Sequence, residues 1–222
     1  MDKLFKKLEI VPNNIDLYKT AFCHTSYAHE NNLDTNYERL EFLGDAIVDL
    51  VVADYLYNKM DIAEGDMTKL RASYVCENAL YRYAMDLGFS DYIKVGHGEE
   101  ADGGKFKKAI VADTFEAFSA AIYLDLGFDK AKEVILKIVT PYIEDPNIIF
   151  FSDYKSALQE AMQTDKRDVE YDLIGEEGPA HDRKFTVEVK VDNVIYGKGV
   201  GHSKKEAEQL AAEDALNKLA IK

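Results

Sequence analysis

Only two cysteines, Cys23 and Cys76, occur in 222 residues, far apart and without histidine or cysteine neighbours at metal-ligand spacing. That excludes a disulfide framework, and the expected setting is a reducing compartment. No apolar run reaches the span of a bilayer, and the basic start MDKLFKKLEIV is not followed by an apolar stretch of signal-peptide length. The expected location is therefore cytoplasmic, with no membrane partner. His24, His29, His97 and His202 share no spacing and read as packed or surface side chains. A basic excess is missing too. The net charge is −14, with 16 basic against 26 acidic residues up to Phe150 and 11 against 15 after it. This balance argues against a nucleic-acid partner, because such proteins carry a basic footprint. Any such binding has to rest on local basic clusters and bound cations, and to fall steeply with salt.

What the chain does have, beside an apolar content of 47% that is ample for a core, is acid in helical register. In YERLEFLGDAIVDLVVAD, Tyr37 to Asp54, the residues Leu40, Leu43, Ile47, Leu50 and Val51 share one apolar arc. Glu38, Glu41, Asp45 and Asp49 line another. Like charges at i, i+3 and i+4 repel, so the stripe costs helix stability unless something offsets it. One reading is a solvated face, its first turn closed by a capping box between Thr35 and Glu38. The stretch KKAIVADTFEAFSAAIYLDLG, Lys107 to Gly127, favours another. It is apolar almost all round, as a buried helix is, yet it carries Asp113 and Glu116 one turn apart. Few bases lie nearby, so a cation shared with the acids of the first helix answers the burial of two carboxylates. Oxygen ligands from two helices point to Mg²⁺ or Mn²⁺ rather than zinc. Magnesium shares its shell with phosphate, so the chemistry implied is at a phosphate ester.

Along the chain, residues 4–8 and 15–22 read as short helices separated by a turn at 11–14. Longer helices are expected over 37–54, about 67–87, 107–127 and 130–143, with a glycine-rich loop at 96–104. GKFKK, Gly104 to Lys108, is the densest basic cluster of the first half, either loop solubility or a phosphate contact. No convincing strand alternation precedes Pro146, so the first domain, 1–148, is expected to be all α. After the break at Pro146-Asn147 a short amphipathic helix, 154–162, leads into alternation at Val169, Tyr171 and Leu173. A cleaner strand carries Phe185, Val187, Val189 and Val191; Asp192-Asn193 supplies a hairpin turn, and 194–196 begins the return strand. Ser203 caps a last helix. The second domain, 152–222, is thus a small α+β unit of order α-β-β-β-α.

These residues also carry a resemblance. ERLEFLGDA, Glu38 to Ala46, resembles the signature of the ribonuclease III family, and ADTFEA, Ala112 to Ala117, its second acidic motif. AFCHTSYAHE before the signature and EGDMTKLRASYVCENAL after it are similar to further family blocks in the expected order. GPAH, Gly178 to His181, and SKKEAEQLAA, Ser203 to Ala212, resemble parts of a double-stranded RNA-binding domain. Two departures are Cys23, where the family commonly has threonine, and Thr25, where a basic residue is common. They bear on packing or substrate contacts rather than on the chemistry.

The resemblance implies a homodimeric endoribonuclease that hydrolyses double-stranded RNA to 5′-phosphate and 3′-hydroxyl ends, in the processing of rRNA and other structured precursors. Its cofactor would be Mg²⁺, with Mn²⁺ able to substitute, and no organic cofactor is implied. By the same resemblance Glu41, Asp113 and Glu116 would be direct or near-direct metal ligands and Asp45 would orient the attacking water or a metal-bound neighbour, with Asp45 and Glu116 the catalytic pair. Glu38 and Glu64 match secondary residues of the cleavage centre and dimer surface; the alternatives are a cap partner for Glu38 and a solvated loop acid for Glu64. Asp49 matches no catalytic position and reads as structural. In the second domain Gln159 and Glu160 match minor-groove contacts and His181 a groove-inserting residue. Lys204 and Lys205 open a helix whose amides already favour phosphate, and basic residues there oppose the dipole, which makes a merely solvated pair the weaker explanation. Two other functions fit part of the pattern. An RNA-binding protein that keeps the fold without cleaving is opposed by four intact carboxylates. An all-helical nucleotide pyrophosphohydrolase also sets acids at i, i+3 around Mg²⁺, but the α-β-β-β-α unit has no place in it.

Overall fold

The computed structural model describes residues 1–145, 148, 150, 154–164, 167–179 and 183–219, in two units, Met1–Phe151 and Ser152–Lys222. The first is helical: α1 Asp2–Leu8, α2 Ile15–Ala21, α3 Thr25–Glu30, α4 Glu38–Lys59, α5 Glu64–Val75, α6 Glu77–Asp86, α7 His97–Ala101, α8 Lys108–Leu126 and α9 Phe128–Ile143. Among the described residues its only β pairing is an isolated bridge between Cys23 and Lys94.

The core of this unit is built around α8. Its largely apolar surface is answered by α4 and α6 most extensively and by α2 and α9 as well. Val111, Phe115, Phe118, Ala121 and Ile122 are buried, and Phe118 meets the rings of Tyr18, Phe22 and Phe89. From α4 come Leu40, Ile47, Val48, Val51, Val52 and Leu56. Leu50, grouped with this arc by periodicity, is 55% exposed instead. The buried stripe is centred near Gly44 and Val51, and Leu50 lies roughly 120° from its middle.

Two further expectations of the first unit are corrected. The continuous helix over about 67–87 is broken at Cys76, whose extended backbone ends α5 and begins α6. The two halves serve different partners, α5 against α4 and α6 against α8, so one straight helix could not bury both. The glycine-rich loop contains α7 and a 3₁₀ turn at Gly104–Phe106. It is tied down where Glu30 accepts from the His97 N–H and Ser26 Oγ from the Gly96 N–H.

The second unit consists of α10 Tyr154–Thr164, β1 Val169–Glu177, β2 Lys184–Val191, β3 Val194–Gly201 and α11 Lys204–Lys218, with an antiparallel sheet of order β1-β2-β3. Asp192 and Asn193 take φ of 49° and 66°, the two positive values of the tight hairpin turn their residue types favour. Val187, Val189 and Val191 alternate inward onto Leu158, Met162 and the alanines of α11. β3 runs on beyond Tyr196 because Gly197, Gly199 and Gly201 face that helix at period two. A Cβ on Gly197 would lie 2.1 Å from the Ala211 carbonyl oxygen, and one on Gly199 2.2 Å from that of Ala207. Glycine on the strand and alanine on the helix bring the two backbones into direct contact.

Candidate metal centre and RNA-binding surfaces

The acids of α4 and α8 meet beside a close approach of the two helices. Gly44 lies on the Glu116 backbone, with no room for a side chain between them. One turn before it on α4 is Glu41, and one turn before Glu116 on α8 is Asp113. The three half-buried carboxylates each offer an oxygen, all within 4.8 Å of one another. Burial pushes the Glu116 carboxyl up to about 8, helped by the charges of Asp45, Asp113 and Glu41. Burial likewise raises Glu41, helped by the charges of Asp113, Glu38 and Asp45, and it raises Asp113, where a hydrogen bond from Tyr37 and the charge of His24 oppose it and that of Glu77 adds to it. Among the described residues no lysine or arginine forms an ion pair with any of the three. Oxygen donors alone, held together against their own repulsion and partly out of water, suit a hard divalent cation whose remaining positions go to water or phosphate.

Asp45 is exposed on the next turn of α4, close enough for its charge to act on Glu116. Glu38, at the first position of α4, is exposed and raises Glu41 by its charge without joining the three. The capping box with Thr35 is absent: Glu38 N–H donates to Asn36 Oδ1 at 2.9 Å, because Tyr37 already has helical backbone and moves the capping position. Glu64 opens α5, accepts from its own Thr68 hydroxyl and lines an open pocket of about 220 Å³ with Leu56, Tyr57, Met67 and Arg71; it is not brought to the three carboxylates. Asp49 pairs with Arg71 at 3.3 Å. In GKFKK, Lys105 pairs with Glu100 and Lys107 with Glu99, so the loop's own acids answer both charges.

Two contributors to the site carry little signal in the sequence. Gly44 sits inside the signature, where a glycine in mid-helix is the one available sign of close approach. Tyr37 donates its hydroxyl to Asp113 Oδ2 at 3.2 Å, a contact between residues 76 apart that no local signal reveals.

In the second unit Lys204 and Lys205 are exposed in the first turn of α11. Ser203 Oγ accepts from the Glu206 N–H, and Glu206 accepts in turn from the His202 N–H, fixing that turn. Lys204 Nζ is 3.6 Å from Glu176 and 5.8 Å from the Phe185 ring centroid. Gln159 is exposed on α10. The side chain of Glu160, and His181 altogether, lie outside the described residues.

Residues 14–143 match a family model described as ribonuclease-III-like, and residues 154–219 match the double-stranded RNA binding motif. Ribonuclease 3 of Listeria monocytogenes is 49% identical over 212 residues, which is 93% of this chain and 92% of that protein. The chain belongs to the ribonuclease III family. Ribonuclease 3 of Onion yellows phytoplasma is 46% identical over 218 residues, 98% of this chain and 90% of its own. Among solved structures the nuclease domain of ribonuclease III from Campylobacter jejuni, described with flexibility in a region involved in its dimer formation, superposes with a TM-score of 0.59. The identity is 40%, over 63% of this chain and 95% of that domain. The protein is thus an endoribonuclease of the ribonuclease III type. Its helical nuclease region is followed by a double-stranded RNA-binding unit, and the family and the acidic cluster together imply a divalent metal. Among the described residues no helix is long and apolar enough to cross a membrane.

Proposed function

We propose that this ribonuclease III is a cytoplasmic, homodimeric, Mg²⁺-dependent enzyme that cuts double-stranded RNA to 5′-phosphate and 3′-hydroxyl ends, processing rRNA and other structured precursors. The observation that carries the proposal is the convergence of Glu41, Asp113 and Glu116 within 4.8 Å without an ion-pair partner among the described residues. The nuclease domain takes 1–148 and the RNA-binding domain 152–222.

Glu41, Asp113 and Glu116 would hold Mg²⁺, or Mn²⁺ in its place, and the chemistry needs no organic cofactor. Bound there, the cation acidifies water and neutralises charge on the phosphodiester oxygens. Asp45, exposed beside Glu116, orients the attacking water. Glu38 tunes Glu41 by its charge, and Glu64 has a secondary role at the cleavage centre and dimer surface. Gln159, Glu160 and His181 contact the minor groove, while Lys204 and Lys205 meet phosphate at the α11 N-terminus. A second copy as partner is supported by Phe42, Leu50 and Tyr57, which are 83%, 55% and 74% exposed on α4. At helical spacing they lie within an arc of about 80°, an apolar face that water alone covers poorly.

The test is a gel assay of the full chain with long double-stranded RNA, with and without Mg²⁺, beside an Asp45→Ala preparation. Mg²⁺-dependent cutting that disappears in the variant is expected. Duplex binding without cutting in either preparation overturns the reading.

A further inference from the structure

Tyr37 is 4% exposed, and its hydroxyl donates to Asp113 Oδ2 at 3.2 Å. Of the three clustered carboxylates, Asp113 alone receives a side-chain hydrogen bond among the described residues. We propose that Tyr37 is a positioning residue of the metal centre, its hydroxyl fixing the rotation of the Asp113 carboxylate so that the group is presented to the cation. The inference rests on the metal-centre reading above and extends it to a residue that touches neither metal nor RNA.

Three features make the phenol a rigid support. Its backbone N–H donates to the Cys23 carbonyl at 3.0 Å, which ties the start of α4 to the segment before α3. Its ring lies against that of His24, with centroids 5.5 Å apart. His24 is held in turn: its Nδ1 is 2.7 Å from Ser26 Oγ, and that oxygen accepts from the Gly96 N–H at 2.9 Å. A line of contacts thus runs from the glycine-rich segment through Ser26, His24 and Tyr37 to Asp113.

The need for support follows from the charges. The charge of Asp113 acts on both Glu41 and Glu116, and because such repulsion is mutual, a carboxylate facing them without a donor gains by rotating away. A hydroxyl on one oxygen opposes that rotation while leaving lone pairs for a cation. Hydrogen-bond donors behind a metal's ligands commonly act in this way, and their loss costs about 10- to 100-fold in metal affinity.

Tyr37→Phe removes the one oxygen and keeps the ring. Mn²⁺ binding to the full chain, without RNA, is to be measured by calorimetry for wild type, Tyr37→Phe and Glu116→Gln, with the Mg²⁺ dependence of cutting for the first two and melting in EDTA for all three. Tyr37→Phe is expected to bind Mn²⁺ about tenfold more weakly. Its half-maximal cutting should move to correspondingly higher Mg²⁺, with the rate largely recovered at saturation and melting in EDTA close to wild type. Wild-type Mn²⁺ affinity in Tyr37→Phe overturns the inference, and if its melting also falls, the tyrosine is a core residue only. Wild-type Mn²⁺ affinity in Glu116→Gln instead overturns the metal-centre reading, and the role of Tyr37 with it.

Discussion

A Cβ at Gly44 would sit 1.9 Å from the carbonyl oxygen of Glu116, closer than any side chain can be accommodated. The absence of that one carbon sets the separation of α4 and α8, and with it the distance between Glu41 on one helix and Asp113 and Glu116 on the other. Gly44→Ala is expected to push the helices apart at a cost of about 1–3 kcal/mol, the usual range for overpacking. Cutting should fall much further than duplex binding, since the RNA-binding unit keeps its own core. Denaturant unfolding and cleavage rates measure the two effects, and an alanine variant with wild-type cutting would show that the close approach is not needed.

Metal binding competes with a proton. Glu116 is pushed up to about 8, chiefly by burial. A carboxyl raised in the fold favours the folded state while protonated, so its contribution is complete below the unfolded value and lost as pH rises toward the folded one. In EDTA the wild type is therefore expected to lose stability between about pH 5 and about pH 8 relative to Glu116→Gln, whose amide stays neutral. Added Mg²⁺ should stabilise the wild type more at the upper end of that window than at the lower. Parallel melting profiles for the two proteins in EDTA would contradict the assigned environment of Glu116.

Lys204 is exposed and only 3.6 Å from Glu176, a surface pair that RNA phosphate can replace. Lys204→Ala is expected to weaken binding to all duplexes alike and to reduce the salt slope by about 1. Filter binding across a salt series measures it, and loss confined to one sequence would refute a phosphate contact.

Gly199 faces the Ala207 carbonyl oxygen at a distance no side chain tolerates. Gly199→Val is expected to separate β3 from α11 and abolish duplex binding, while the helical unit melts as before. Retained binding would mean that the strand can shift without consequence.

The parts legible in the sequence are those where one local pattern has few explanations. Asp113 and Glu116 within an apolar-all-round helix call for a partner charge, and Asp192-Asn193 between alternating runs calls for a hairpin. Other parts hide behind continuous or misleading local signals. Helical periodicity passes through Cys76 undisturbed, although α5 and α6 bury their faces against different helices. Gly197, Gly199 and Gly201 carry no strand signal of their own, and only the alanines of α11 show why they continue the strand begun at 194–196. The side chain that meets the Glu38 N–H at the start of α4 is that of Asn36, one residue on from Thr35. The bond from Tyr37 to Asp113 has no counterpart in the local pattern of either segment, which links the two helices only through their acids.

Under the proposed function Glu41, Asp113 and Glu116 form one cation site that performs the cutting. Its most direct test is Glu116→Gln, assayed in parallel for cleavage of long double-stranded RNA in Mg²⁺ and for duplex binding in EDTA. Cutting is expected to be abolished while duplex binding stays within about twofold of wild type, because Glu116 belongs to the nuclease unit alone. Retained Mg²⁺-dependent cutting would contradict it.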